Sequence, residues 1–275
     1  MGEGQVLRTR RERGVLWVAI DNPPLNLLDL KLSTALDALS RQIEADGEIK
    51  VVVFESALKD YFLSHADMHL LQQARDAGFY ADLSQLSLYQ QMLERFRTMP
   101  KVCIAKVDGR ARGGGAEFTL ALDMVFVSPN ARFSQMEVLL GINPGGGGAQ
   151  YLARKAGRSR ALEVCLGGAD VTGADAAAFG FANRVLPAHA LGRFVDDLAL
   201  RIASLPAEAV ALNKANIVAA ESGVTEGLLD AHRTFAKLVA SAAFDRRVAA
   251  FLAAGGQTAK GEQGDPAALT PRLSG

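Results

Sequence analysis

The chain has 275 residues, 49% of them apolar and 22% charged, which is enough apolar material for one large domain with its own core. Its 30 basic and 30 acidic side chains cancel, so net charge supplies no pull toward nucleic acid or an anionic membrane. The two cysteines, Cys103 and Cys165, stand far apart in apolar stretches; that gives neither a disulfide framework nor zinc-ligand spacing, and suits a reducing, cytoplasmic setting.

Residues 1–13 carry Arg8, Arg10, Arg11 and Arg13 with no apolar segment behind them. They read as a flexible, solvated arm rather than a secretory signal. No apolar run nears the roughly 20 residues that cross a bilayer. GVLWVAI (14–20), ending at the turn residues DNPP, reads as a strand. Leu32, Leu36, Leu39 and Ile43 make one apolar stripe at helical spacing over 29–45. IKVVVFES (49–56) is a continuous β-branched run, expected of a strand covered on both faces. A helix is expected over 80–97, stopping before Pro100, then strands at 101–107 and 124–128 with a glycine-led helix over 114–122 between them. This alternation predicts a layered α/β core over 14–190. Phe194, Leu198, Ile202 and Leu205 then mark an amphipathic helix, Ser204 and Pro206 mark the start of the next, and 226–253 continues helical. Residues 191–254 therefore read as a helical appendage, and 255–275, rich in Gly, Pro and polar residues, as a flexible tail.

Two glycine clusters stand out, 113–115 and 145–148. Neither is followed by the lysine and Ser or Thr of a phosphate loop, and the dinucleotide pattern counted from Gly113 would need glycine where Phe118 stands. For the second cluster, tight turns are one reading. The first cluster supports a more specific one. Glycines at a helix start leave backbone N–H groups bare and approachable, and those groups suit a developing oxyanion.

Two glutamates lie in apolar company. On a helix over 114–122, Glu117 has Gly113, Gly114, Leu120 and Ala121 as its neighbours one turn away; Phe133, Ser134, Leu140 and Gly141 surround Glu137. A carboxyl in such a place is buried or lines a cleft, and desolvation makes its proton easier to hold. That tuning suits acid/base work near neutral pH. His65 and His69, four apart with Asp67 between them, invite a metal reading, but the zincin pattern needs Glu where Ala66 stands, and two histidines are an incomplete ligand set. A relay of Ser64, His65 and Asp67 is disfavoured because near neighbours in sequence do not readily point at one another in the required order.

GGGAE (113–117), SQMEVLLGINPGGGGAQ (134–150) and YFLSHAD (61–67), with GRSRALEVCLGG, GFANRVLP and FDRRVAAFL further on, resemble the crotonase, or enoyl-CoA hydratase/isomerase, superfamily over about residues 12–253. The resemblance implies a spiral of ββα turns whose C-terminal helices mediate trimers, often paired into hexamers. It implies an acyl-CoA substrate, with no metal and no cofactor beyond the coenzyme A of that substrate. The thioester carbonyl would sit between the N–H groups of Ala66 and Gly114, with Glu117 activating water and Glu137 exchanging the proton at the α-carbon. Substrate-binding positions would fall at Leu25, Ser64, His65, Asp67, Met68, His69, Gly113, Pro144 and Gly145. Three residues depart from the usual pattern: His65 stands where glycine is usual, His69 where some hydratases have lysine, and Met136 where proline is common. Hydration is the leading expectation. Double-bond isomerisation or an unusual acyl group is the near alternative, and RNA binding, reported for a few similar proteins, is the remote one.

Overall fold

The computed structural model describes residues 5–273. The chain opens with β1 (Leu7–Glu12) and β2 (Val15–Ile20), a hairpin in register from Leu7 opposite Ile20 to Glu12 opposite Val15. Its two-residue turn, Arg13-Gly14, has positive φ at both positions, the geometry that matches strand twist. The expected free arm is therefore an edge strand over the described residues; 1–4 lie outside them. The arginines are exposed, as a protected sheet edge requires, and each has an acidic partner: Asp21 for Arg8, Glu12 for Arg10 and Arg13, Asp46 for Arg11.

There follow α1 (Leu30–Ala45), capped by the Asp29 side chain, β3 (Val51–Ser56) and β4 (Tyr61–Leu63). Next come α2 (Met68–Asp76) and α3 (Leu88–Thr98). The helix expected over 80–97 begins only at Leu88, because Ser87 and Gln90 form a reciprocal cap there and Asp82 turns the chain onto Ser84. Then β5 (Val102–Val107), β6 (Arg110–Arg112), α4 (Gly114–Ala121), β7 (Met124–Val127) and β8 (Arg132–Ser134) precede a short 3-10 turn over Met136–Leu140. The core closes with α5 (Gly148–Ala156), α6 (Arg158–Gly167), β9 (Val171–Thr172), α7 (Gly173–Phe179) and β10 (Arg184–Val185).

The strands sort into two sheets, β1-β2-β3-β5-β7-β10 and β4-β6-β8-β9. Each of the pairs β3/β4, β5/β6 and β7/β8 places one strand in each sheet before a helix returns the chain, so the backbone advances as a spiral of ββα turns. Apart from β1/β2 and β8/β9, neighbours run parallel. The larger sheet is covered on both faces, which explains its unbroken apolar runs. Leu16, Val18 and Ile20 join the inter-sheet core with Phe54, Phe96 and Phe118. Val15, Trp17, Val51 and Val53 face the other way, onto Leu191, Val195 and Ala199 of α8 (Ala188–Ala203).

That packing corrects the expected appendage beginning at residue 191: α8 is an outer layer of the core. Ser204 ends it, donating to the Arg201 carbonyl, instead of capping the next helix. After α9 (Ala207–Ala219), α10 (Val224–Val239) and α11 (Ala242–Ala253) are two helices rather than one, because the Ser241 hydroxyl accepts from Phe244 N–H and starts a new cap. The expected mobile tail is instead packed. It contains a 3-10 turn at Pro266–Leu269 and the short α12 (Thr270–Leu273), with Glu262, Pro266 and Leu273 buried; residues 274 and 275 lie outside the described chain. No described helix is long and apolar enough to cross a membrane.

Candidate active site

The smaller sheet decides which loops meet. Its strands β4, β6 and β8 lie side by side and parallel, so the segments leaving their C-terminal ends emerge on one edge. Those segments are 64–67, the glycine triplet leading into α4, and the 3-10 turn after β8. Glu117 lies in the first turn of α4 and Glu137 in that 3-10 turn. Gly113 N–H donates to the Ser134 carbonyl at 2.7 Å, tying two of the segments together. Gly113 has φ of 50°, and an added Cβ would stand 2.8 Å from His65 Cβ and 3.2 Å from Glu137 Oε1. Only glycine meets both demands at no cost.

Both glutamates are buried. Glu117 Oε1 accepts the N–H groups of Gly146 and Gly148, each at 2.8 Å. The second glycine cluster is thus a cradle for a carboxylate. Glu117 Oε2 turns toward the Tyr89 ring: a Cβ on Gly146 would stand 2.7 Å from Tyr89 Cε1 and 2.8 Å from that oxygen. Glu137 Oε2 is buried without a hydrogen-bond partner among the described residues. The environments set different proton affinities. Burial pushes Glu117 up to about 7 against the pull of the cradling N–H groups. Burial and the charge of Glu117 drive Glu137 well above the usual carboxylate range. Near pH 7 Glu117 is therefore about half ionised, beside a Glu137 that keeps its proton.

Two backbone donors, the N–H groups of Ala66 and Gly114, belong to segments that leave this edge. Leu28 N–H donates to the His65 carbonyl and Leu28 C=O accepts Asp67 N–H, both at 3.1 Å. This parallel bridge turns the N–H and C=O of Ala66 to the opposite side. Gly114 is the first residue of α4, so its N–H has no acceptor within the helix. Tyr89, which sequence reasoning passed over, donates its hydroxyl to the Gly114 carbonyl at 2.7 Å. Burial and the two carboxylates push its phenol well upward, so it stays a donor. No signal other than its position on α3 could have found it. Cys165 is also within the field of both carboxylates; burial pushes its thiol up to about 12, which removes it as a thiolate nucleophile.

The other expected positions divide. The Leu25 carbonyl accepts the Ser64 hydroxyl at 2.8 Å, and both residues are buried. Asp67 caps α2 at His69 N–H and holds Gln257, while Met68 packs in a cluster with Phe235 and Phe251. His69 is exposed. Pro144 is buried, and Gly145 lies under the Phe235 ring. His65 points away from Ser64, onto the C-terminal segment, so the three residues 64, 65 and 67 form no relay. No cluster of three metal-ligating side chains occurs among the described residues.

Comparison with known proteins fits this geometry. The enoyl-CoA hydratase/isomerase family model matches residues 10–256. The chain belongs to the enoyl-CoA hydratase/isomerase family. A protein of Streptomyces avermitilis, provisionally described as an enoyl-CoA hydratase, has a solved structure that covers 98% of this chain and 97% of its own at a TM-score of 0.88 and 35% identity. The short-chain-enoyl-CoA hydratase of Clostridium acetobutylicum is 31% identical over 74% of this chain and 77% of its own length. The 1,2-epoxyphenylacetyl-CoA isomerase of Escherichia coli is 29% identical over 88% and 93%. Family members at similar distance thus include both hydratases and an isomerase.

Proposed function

We propose that the protein is an enoyl-CoA hydratase that adds water across the α,β double bond of an acyl-CoA thioester. The observation that carries this reading is the pair of buried glutamates with unlike proton affinity, on segments that leave the same sheet edge as those bearing the Ala66 and Gly114 N–H groups. The thioester oxygen accepts from those two donors. The Glu117 carboxylate takes a proton from water as its oxygen bonds to the β-carbon. The π electrons move onto the thioester oxygen as an enolate. As that collapses, Glu137 delivers its proton to the α-carbon. Each backbone donor aimed at the enolate is worth roughly 100- to 1,000-fold in rate, and a positioned carboxyl about 100- to 10,000-fold. The chemistry needs no metal or redox cofactor.

Turnover is read as loss of the conjugated-thioester absorbance with crotonyl-CoA and longer enoyl-CoAs. In heavy-oxygen water the product should carry the label at the β-hydroxyl. A double-bond shift without label would make the protein an isomerase, and no turnover at any chain length by folded protein would overturn the reading. We also propose assembly as a trimer or a dimer of trimers. Leu162 and Leu166 on α6 and Leu212 and Ile217 on α9 are exposed apolar side chains, which supports a covered surface. Light scattering that finds a monomer would refute it.

A further inference from the structure

We infer that Glu262, from the segment after α11, and His65 form a buried imidazolium–carboxylate pair that positions the Ala66 N–H for the thioester oxygen. This rests on the acyl-CoA reading above. His65 Nδ1 lies 2.8 Å from the Ala66 carbonyl and Nε2 lies 2.7 Å from Glu262 Oε1. A carbonyl oxygen only accepts, so Nδ1 carries a proton. Glu262 Oε1 also accepts the Gln257 N–H at 2.8 Å, and although burial opposes both charges, their mutual attraction raises the His65 proton affinity and lowers that of Glu262, so the carboxylate accepts and Nε2 carries the second proton. The ring is therefore charged and fully satisfied, with both partners only 3% exposed.

The consequence for Ala66 follows from counting its neighbours' bonds. Leu28 takes the His65 carbonyl and the Asp67 N–H, and the imidazolium takes the Ala66 carbonyl. Of the polar groups in the two peptides flanking Ala66, its own N–H is the one not committed to these contacts. The same C-terminal segment grips the loop a second time: Gln257 accepts Met68 N–H at 2.8 Å and donates to Asp67 at 3.1 Å. Gln257 adopts φ of 61°, a left-handed conformation that a non-glycine residue holds only when its surroundings enforce it. Arg112 anchors the segment in turn. It donates to the Glu262 carbonyl and the Gly264 carbonyl, each at 2.6 Å, while Asp170 balances its charge. Facing the ring are Glu262, Arg112 behind it, Phe251 in a T-shaped contact with ring centroids 5.5 Å apart, and Gly113 with Glu137 beyond. His65 and Glu262 are thus positioning residues; the donor they fix belongs to the backbone.

The test uses the full chain and three readouts. Ring-nitrogen NMR of isotope-labelled histidine at neutral pH should show one imidazolium with both N–H protons in slow exchange, lost in Glu262→Gln; a neutral His65 in the wild type overturns the inference without touching the hydratase reading. Butyryl-CoA, labelled at its thioester carbonyl, has no double bond to hydrate, so its carbonyl stretch reports polarisation alone. The wild type should lower that frequency, and Glu262→Gln and Glu262→Ala should return it toward the value in water. In hydration the same variants should lose kcat about 10- to 100-fold, part of one donor's worth, with KM nearly unchanged. Glu262→Gln is isosteric and guards against a folding failure of Glu262→Ala. A folded variant that keeps the full carbonyl shift and full kcat overturns the inference. A wild type that binds butyryl-CoA with no shift overturns both this inference and the assignment of the thioester oxygen to the Ala66 and Gly114 donors.

Discussion

Glu117 and Glu137 are the same residue type, both buried and both next to Gly113 or its helix, yet their surroundings differ. Glu117 is cradled by two N–H groups of the second glycine cluster, and Glu137 leaves one oxygen bare. The cradle stabilises charge, so Glu117 ionises near 7 while Glu137 holds its proton. Proton affinity in this site is therefore written by backbone donors, not by side-chain identity.

The largest effects should come from removing either carboxyl. Glu117→Gln and Glu137→Gln should each lower kcat by about 100- to 10,000-fold with the fold intact. They should differ in one respect that sharpens the comparison: α-proton exchange of butyryl-CoA in deuterated water should survive better in Glu117→Gln than in Glu137→Gln. Equal loss in both would mean that the two roles are not separated.

The pH profile tests the same difference. Activity should rise as Glu117 ionises through about pH 7 and fall at higher pH as Glu137 loses its proton. The falling limb should vanish from the residual activity of Glu137→Gln. Stability should follow Glu117 in the opposite direction. Its folded pKa lies above the unfolded value of 4.5, so the folded state binds the proton more tightly and stability is lost as pH rises from that value to about 7. The full cost is roughly 3 kcal/mol above that range. Glu117→Gln should consequently melt higher than the wild type, by a margin that grows from pH 5 to pH 8; a constant margin would contradict the raised pKa.

The smallest expected change is Tyr89→Phe. It removes the hydroxyl donated to the Gly114 carbonyl, worth about 1 kcal/mol, so activity should fall roughly fivefold with little change in pH profile.

Much of this was legible in the sequence because local patterns report burial. The stripe of Leu32, Leu36 and Ile43 is buried as spaced, the runs at 15–20 and 51–56 are strands covered on both faces, and the apolar company of Glu117 and Glu137 pointed to carboxyls that are buried or line a cleft. Helix limits near 80, 204 and 241 and the place of α8 were decided by capping and tertiary packing, and two further errors fell where polar composition was taken for mobility. Arginines in β1 mark a guarded sheet edge, and the polar, glycine-rich segment after α11 holds a buried glutamate under His65.

The residues alone determined most helix and strand types, the apolar company of the two carboxyls, and the glycines that leave backbone N–H groups approachable, because hydrophobic period and backbone freedom are local properties. Tertiary structure alone decided that Gly146 and Gly148 serve Glu117, that Tyr89 reaches Gly114, and that Glu262 meets His65 across 197 positions of chain. Those contacts join segments brought together only when parallel strands end on one edge, and no local pattern encodes the far partner of a hydrogen bond.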